Sequence, residues 1–418
     1  MLGFIIAGSV IIILSYLFNI LSKKTNIPTV ILLIILGLLI KQGLHYFGAE
    51  QVNLDSELQI LGVLGLIMIV LEAALDLKLK KEKTGLILKA FIISIILLLT
   101  SSFGISIIFR MFLSMDFYNS FLYAVPLAIM SSAIIIPSVS HLIEEKKEFM
   151  IYESTFSDIL GIMLFYFLVD LHGTDHVGEI TANVLQTIAI TIIISFAASY
   201  IMLWVFQNVK THTKLFLMVA ILLLLYAIGK LLHLSSLIII LVFGLMLSNQ
   251  RIFFRGFLKK KLFKLDVLKE IYNDFNTITV ETAFVVRTFF FVIFGMTIIL
   301  STLLDFKVFL ITLGILAVLY GFRFIVLRLF FKSEIFPELF IAPRGLITIL
   351  LFFAIPSEFQ VVAFNSGILL FTILASSIIM MIGLIKNSKK TIKIEPVRLD
   401  IEGEVTHNPE DKNADFSI

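Results

Sequence analysis

ESTFSDILGIMLFYF, residues 153–167, joins two carboxylates to a run fit for lipid. No charge falls between Ile159 and Val169, yet Glu153 and Asp158 stand just before that run. A charged side chain at the centre of a membrane helix costs about 3 kcal/mol on insertion scales, so acids persist there beside a partner or a water-filled path. The segment is either not a span, or a span whose acids have a task.

The rest of the chain decides for a span. Of 418 residues, 59% are hydrophobic and 15% charged, against roughly 45–50% apolar in soluble domains. Apolar runs of about 20 residues, the length that crosses a bilayer as a helix, recur throughout. The alternating ten-residue strands of a membrane β-barrel are absent. The expected fold is an all-α polytopic membrane protein of about thirteen spans, at 2–21, 28–46, 57–76, 85–111, 119–141, 150–171, 181–206, 214–231, 234–249, 277–301, 307–331, 337–356 and 362–386. The separators are short and polar, as in SKKTN, KLKKEKTG and HLIEEKKEF. The first apolar run lacks a basic n-region and continues to Leu21, which reads as a retained helix rather than a signal peptide. With no cysteine, thiolate chemistry and disulfides are excluded. His172, Asp175 and His176 form a polar turn whose residue types could touch a metal, a look that short turns often share.

Basic residues set the orientation. With the N-terminus outside, 25 of the 33 Lys and Arg fall on inward loops and the C-terminal tail. Four, Lys41, Arg110, Lys230 and Lys307, fall outward, and Lys89, Arg287, Arg323 and Arg344 lie within spans. IPTVILLIILGLLIKQ (27–42) resembles LSSLIIILVFGLMLSN (234–249), with Gly37 matching Gly244. Spans 1–6 and 8–13 then form two six-helix copies. Span 7 links them in opposite orientations, the inverted-repeat plan of many secondary transporters. The membrane domain is expected to cover 1–386. Residues 250–276, with seven basic residues and aromatic and Leu side chains at helical spacing, read as an amphipathic helix on the cytoplasmic surface against anionic lipid. Residues 387–418 are a short cytoplasmic tail.

Ionisable residues in the spans agree in depth. Asp158 lies roughly 12 Å inside the start of span 6, Arg323 lies at a similar depth in span 11, and Glu72 and Arg344 fall in the same half. Ser154 and Asp158 share a helix face, as do Glu153 and Ser157. Glu72 lies one turn from Asp76 and could instead reach water. Arg287 reads as a solvated residue near the start of span 10. Two spans contain breaks. Span 5 reads AIMSSAIIIPSVSHL, with Ser131, Ser132 and then Pro137; span 12 reads FIAPRGLITIL, with Pro343, Arg344 and Gly345 together. Proline removes a backbone donor, and broken backbone persists at membrane depth only where protein or a cavity satisfies it. Paired breaks at equivalent positions of two repeats point to a transporter's binding site.

At these residues the sequence resembles a family. Glu153-Ser154…Ser157-Asp158 looks like the Glu-Ser-x-x-Asn-Asp signature of monovalent cation/proton antiporters, the sodium/proton exchanger superfamily. LGLIMIVLEAALDLKLK (64–80) is similar to that family's third helix. GFRFIVLRLF (321–330) and IAPRGLITILL (341–351) resemble its eleventh and Arg-Gly helices. The resemblance implies that Asp158 binds either a proton or a cation. Ser154, Glu72 and a carbonyl or hydroxyl near Ser131 and Ser132 would complete the cation site. Glu153 would pair with Arg323. Core helices would occupy about 85–171 and 307–386, and scaffold helices of a homodimer about 1–80 and 234–301. This chain departs from the pattern in having Ser157 where Asn or Asp is common, and Ser-Ser-Ala-Ile-Ile-Ile-Pro where Thr-Asp-Pro is usual. Arg344 is thereby expected to lack its usual acid partner.

The residues alone support the same chemistry. Burial and nearby positive charge pull a carboxylate's proton affinity in opposite directions. A compromise lets one oxygen pair hold a proton or a hard cation, not both, and alternating access then makes an exchanger. One aspartate with no second acid beside it predicts one-for-one, electroneutral exchange of Na⁺ or K⁺ for H⁺ across a bacterial inner membrane. No cofactor and no nucleic-acid partner is expected. An organic-anion symporter of similar fold would need more polar groups near the breaks than Arg344, and a non-transporting sensor would signal through 250–276 or the tail. No nucleophile–histidine pair or cofactor motif in the spans suggests an enzyme.

Overall fold

The computed structural model describes residues 2–25, 27–46, 55–79, 81–139, 142–171, 177–209, 214–231, 236–254, 264–298, 305–331, 335–361 and 363–391; these are helical or connecting, with no strand among them. In order the helices are α1 (Leu2–Thr25), α2 (Thr29–Tyr46), α3 (Asp55–Asp76), α4 (Thr84–Leu113), α5 (Phe117–Ala128), α6 (Ser132–Ser138), α7 (Glu144–Leu171), α8 (Val177–Phe206), α9 (Lys214–Leu231), α10 (Ser236–Ser248), the single turn α11 (Gln250–Phe253), α12 (Leu265–Thr297), α13 (Phe306–Phe330), α14 (Leu346–Phe353) and α15 (Gly367–Thr391). Helical segments stand at each of the thirteen expected positions. Among the described residues, eight stretches are by themselves long and apolar enough to cross a membrane. Helices prevail because lipid offers the backbone no hydrogen bonds, so each segment must satisfy its own.

Two groups of helices pack together. In one, α2 and α3 lie on α12, and α10 lies on α3, α8 and α9; in the other, α4 contacts α5, α7 and α13, and α13 contacts α15. The pairings respect the repeat. α2 of the first copy packs on α12 of the second, and its counterpart α10 packs on α3. The matched glycines sit in these two crossings. A Cβ on Gly37 would lie 2.1 Å from the Val292 carbonyl oxygen and 2.9 Å from Gly295 Cα. A Cβ on Gly244 would lie 2.6 Å from that of Ala74. Small residues let membrane helices approach backbone to backbone, where van der Waals contact supplies the association that the hydrophobic effect cannot.

Two expectations are corrected. Residues 265–276 are not a separate surface helix: they are the first turns of α12, continuous with the span to Thr297. Their apolar side is internal, with Leu268 and Phe275 buried, and Phe254 is buried as well; residues 255–263 fall outside the described residues. The hydrophobic periodicity was real, but it faces protein rather than lipid headgroups. Pro137 does not break span 5. It lies inside α6, and the interruption comes earlier, at 129–131. Near the end of a short helix, the missing proline N–H removes one bond without ending the turn.

Candidate functional site

The interruptions of spans 5 and 12 meet. Residues 341–345 are non-helical before α14, and the Ser131 N–H donates to the Pro343 carbonyl at 3.0 Å. Gly345 is required by this approach: a Cβ there would stand 2.5 Å from Ser131 Oγ. Arg344 is buried. Its Nε donates to Leu127 O at 2.8 Å, one terminal nitrogen to Ala342 O at 2.5 Å and the other to Ala128 O at 3.3 Å. Leu127 and Ala128 end α5, so the guanidinium caps carbonyls at the negative end of that helix. Among the described residues, the hydrogen bonds of the Arg344 guanidinium go to backbone oxygens.

On the other side of the same break stands Asp158, 1% exposed on α7. Its Oδ2 accepts from the Ser132 N–H at 3.0 Å, at the first residue of α6. Its Oδ1 is buried and takes no hydrogen bond from the described residues. The neighbouring Ser157 hydroxyl accepts from the Met130 N–H at 3.0 Å. Three successive broken-backbone N–H groups, at Met130, Ser131 and Ser132, are thus each satisfied by a different partner, which is what irregular backbone at membrane depth requires. Ser157 departs from the family pattern, and its structural duty shows only in three dimensions. Ser154 is buried one turn before Asp158, with its hydroxyl donating to Met150 O at 2.8 Å within its own helix. Ser131 meets the crossing through its N–H, and Ser132 reaches Asp158 through its N–H and its hydroxyl.

Glu153 and Arg323 meet in a bidentate pair at 2.7 and 3.0 Å, 0% and 2% exposed. Arg323 also donates twice to the Glu338 carbonyl, at 3.1 and 2.9 Å, so it ties α7 to the chain entering α14. Planar, two-point pairing of this kind fixes geometry as well as charge.

Glu72 is held elsewhere. Arg287 donates to its Oε1 at 3.1 Å. Both line a cavity of about 250 Å³, together with Asp76, Ser132, Pro137 and Asn19. The cavity lies toward the end of the molecule where α1, α3 and α6 finish and α2 begins, and it reaches α6 at the residue whose N–H holds Asp158. Arg287 therefore does not stand at a helix start. α12 begins at Leu265, not near 277, which carries Arg287 into mid-span. Two ionisable residues of opposite sign, Arg287 and Glu72, each within an apolar run, were the signal available for it. The polar turn at 172–176 lies outside the described residues.

The sodium/hydrogen exchanger transmembrane family matches residues 9–385. Among solved structures, the sodium proton antiporter MjNhaP1 from Methanocaldococcus jannaschii at pH 8 is 21% identical over 93% of this chain and 96% of its own, with a TM-score of 0.69. An electron-microscopy structure of the same antiporter aligns at 20% identity over 94% and 96%, with a TM-score of 0.63. At that identity the likeness is one of fold. No curated protein matches the chain. With a family match over nearly its whole length, on a fold of crossed interruptions around a buried aspartate, the chain is an integral membrane protein that belongs to the sodium/hydrogen exchanger family.

Proposed function

We propose that the protein exchanges one monovalent cation, Na⁺ or K⁺, for one proton, and that Asp158 is the carboxylate both ions share. One observation carries this reading: a buried aspartate has one oxygen anchored on the Ser132 N–H and the other unclaimed. The anchored oxygen fixes the group at the crossing, and the free one is where a proton or an alkali cation binds. Hard cations favour such oxygen ligands. Glu72, the Ser154 oxygen and carbonyls of the broken segments are the further donors that the family resemblance suggests. The cavity from Glu72 to Ser132 supports access from the end bearing the basic loops, which by the distribution of Lys and Arg is the cytoplasm. The N-terminus then faces outward, in a cell membrane of bacterial type, with the exchanger working as a homodimer in pH homeostasis.

Proton and cation compete, so the sign of the pH dependence follows. The cation needs the ionised carboxylate; acid therefore raises the apparent KM, by up to about tenfold per pH unit, the mass-action limit for one competing proton. In proteoliposomes loaded with a pH dye, added Na⁺ or K⁺ is expected to drive proton movement in wild type and not in Asp158→Asn. An imposed membrane potential should leave the rate unchanged. Exchange by Asp158→Asn at the wild-type rate refutes the shared carboxylate; a potential-dependent rate refutes the stoichiometry.

A further inference from the structure

The two arginine–glutamate pairs within the spans differ in kind. Arg323 grips Glu153 with two hydrogen bonds, out of reach of solvent, and its other donors reach the Glu338 carbonyl and the sulfurs of Met130 and Met150. Arg287 touches Glu72 by a single hydrogen bond of 3.1 Å, and the side chains keep 20% and 15% exposure. The first pair is a brace. The second lies open to a cavity through which an ion can reach it, and one-point, part-solvated pairs are weak and exchangeable.

The cavity wall also offers the guanidinium somewhere to go. Its charged residues are Glu72, Asp76 and Arg287. Asp76 follows Glu72 by one helical turn, on the same face of α3 and nearer the cavity's outer end. Arg287 acts electrostatically on both carboxylates. With two acids and one base, the wall is net negative and draws cations inward, while the inner acid is already occupied by a positive group of the protein's own.

We infer that Arg287 is a tethered competitor of the transported cation: its guanidinium occupies Glu72 until an incoming cation displaces it toward Asp76. This deepens the exchange reading and rests on it. The competitor raises the cation concentration needed for half-maximal rate, and it keeps Glu72 from standing uncompensated in the membrane when no cation is bound. Removing it frees Glu72 for the cation and so lowers KM.

The test compares apparent KM for Na⁺ and for K⁺ in proteoliposomes of wild type, Arg287→Gln, Arg287→Met, Arg287→Lys, Glu72→Gln and the double variant Glu72→Gln/Arg287→Gln. Each neutral variant is expected to lower KM at least threefold, and Arg287→Lys to recover part of that shift. In the Glu72→Gln background, loss of Arg287 is expected to lower KM less than twofold. An unchanged or higher KM in the neutral variants overturns the inference. So does a drop that persists without Glu72, which would make Arg287 a remote charge. Should the neutral variants not fold, Arg287→Lys in the two backgrounds gives the same comparison, its shift expected only where Glu72 is present. Failure of wild type to exchange either cation, or full activity of Asp158→Asn, would instead remove the exchange reading. Asp158-dependent exchange with KM indifferent to Arg287 removes this inference alone.

Discussion

Replacing Arg323 by methionine isolates the brace between α7 and α13. The substitution keeps the length and apolar stem but deletes every donor. Two charge-assisted bonds to Glu153 and two to the Glu338 carbonyl are lost together. Glu153, 0% exposed, keeps its burial and loses its countercharge. The Glu338 carbonyl keeps the Ile341 N–H, but the two Glu153 oxygens, each unsatisfied, would cost about 1–3 kcal/mol apiece if independent. They are not independent, and removal of one partner from a buried pair costs about 3–5 kcal/mol. For a chain of this size that lowers the apparent melting temperature by on the order of 5 °C. Glu153→Gln in the Arg323→Met background removes the stranded charge, so the double variant should be more stable than Arg323→Met alone, by about 1–3 kcal/mol of coupling. Fluorescence-detected size exclusion after graded heating in detergent reads this directly. If Arg323→Met matches wild type, or if the double variant loses the sum of the two single losses, Glu153 and Arg323 do not act as a pair in the folded protein.

Two further substitutions test local claims. Ser157→Ala leaves the Met130 N–H without its acceptor; a loss of about 1–3 kcal/mol in the same heating assay is expected, together with slower exchange in proteoliposomes, and unaltered stability would deny the hydroxyl its role at the break. Gly37→Leu must push α2 off α12 at the point where even a Cβ meets the Val292 carbonyl at 2.1 Å, so the yield of monodisperse protein should collapse, whereas Gly43→Leu, with nothing near its Cβ, should express normally.

What could be read from the sequence depended on scale. Helix positions followed from apolar runs, because membrane thickness fixes their length and lipid forbids alternatives. Asp158, Glu153 and Arg323 stood out because ionisable residues in such runs are rare. The exact interruption of span 5 was not legible from Pro137, since proline marks a lost donor, not the residue where the chain straightens. The true location is set by acceptors that arrive from elsewhere: Ser157, Pro343 and Asp158. Residues 265–276 misled for a related reason. A one-sided apolar pattern announces a buried face but not what buries it, and here α12 simply continues. Arg287 escaped because its meaning depends on Glu72, 215 residues away in the chain.

The absent acid of span 5 bears on stoichiometry. Glu153 and Arg323 cancel, which leaves Asp158 and Arg344 on either side of the three-residue break, one bonded to Ser132 and the other to Leu127 and Ala128. A buried positive charge needs either an acid or dipoles turned toward it, and the carbonyl end of α5 supplies the dipoles. An additional carboxylate at the break would take up a second proton or hold a second charge through the cycle. On the proposed reading, in which Asp158 alone holds a proton or a monovalent cation in turn, the crossing would carry the same net charge in both loaded forms, and their exchange would do no net electrical work.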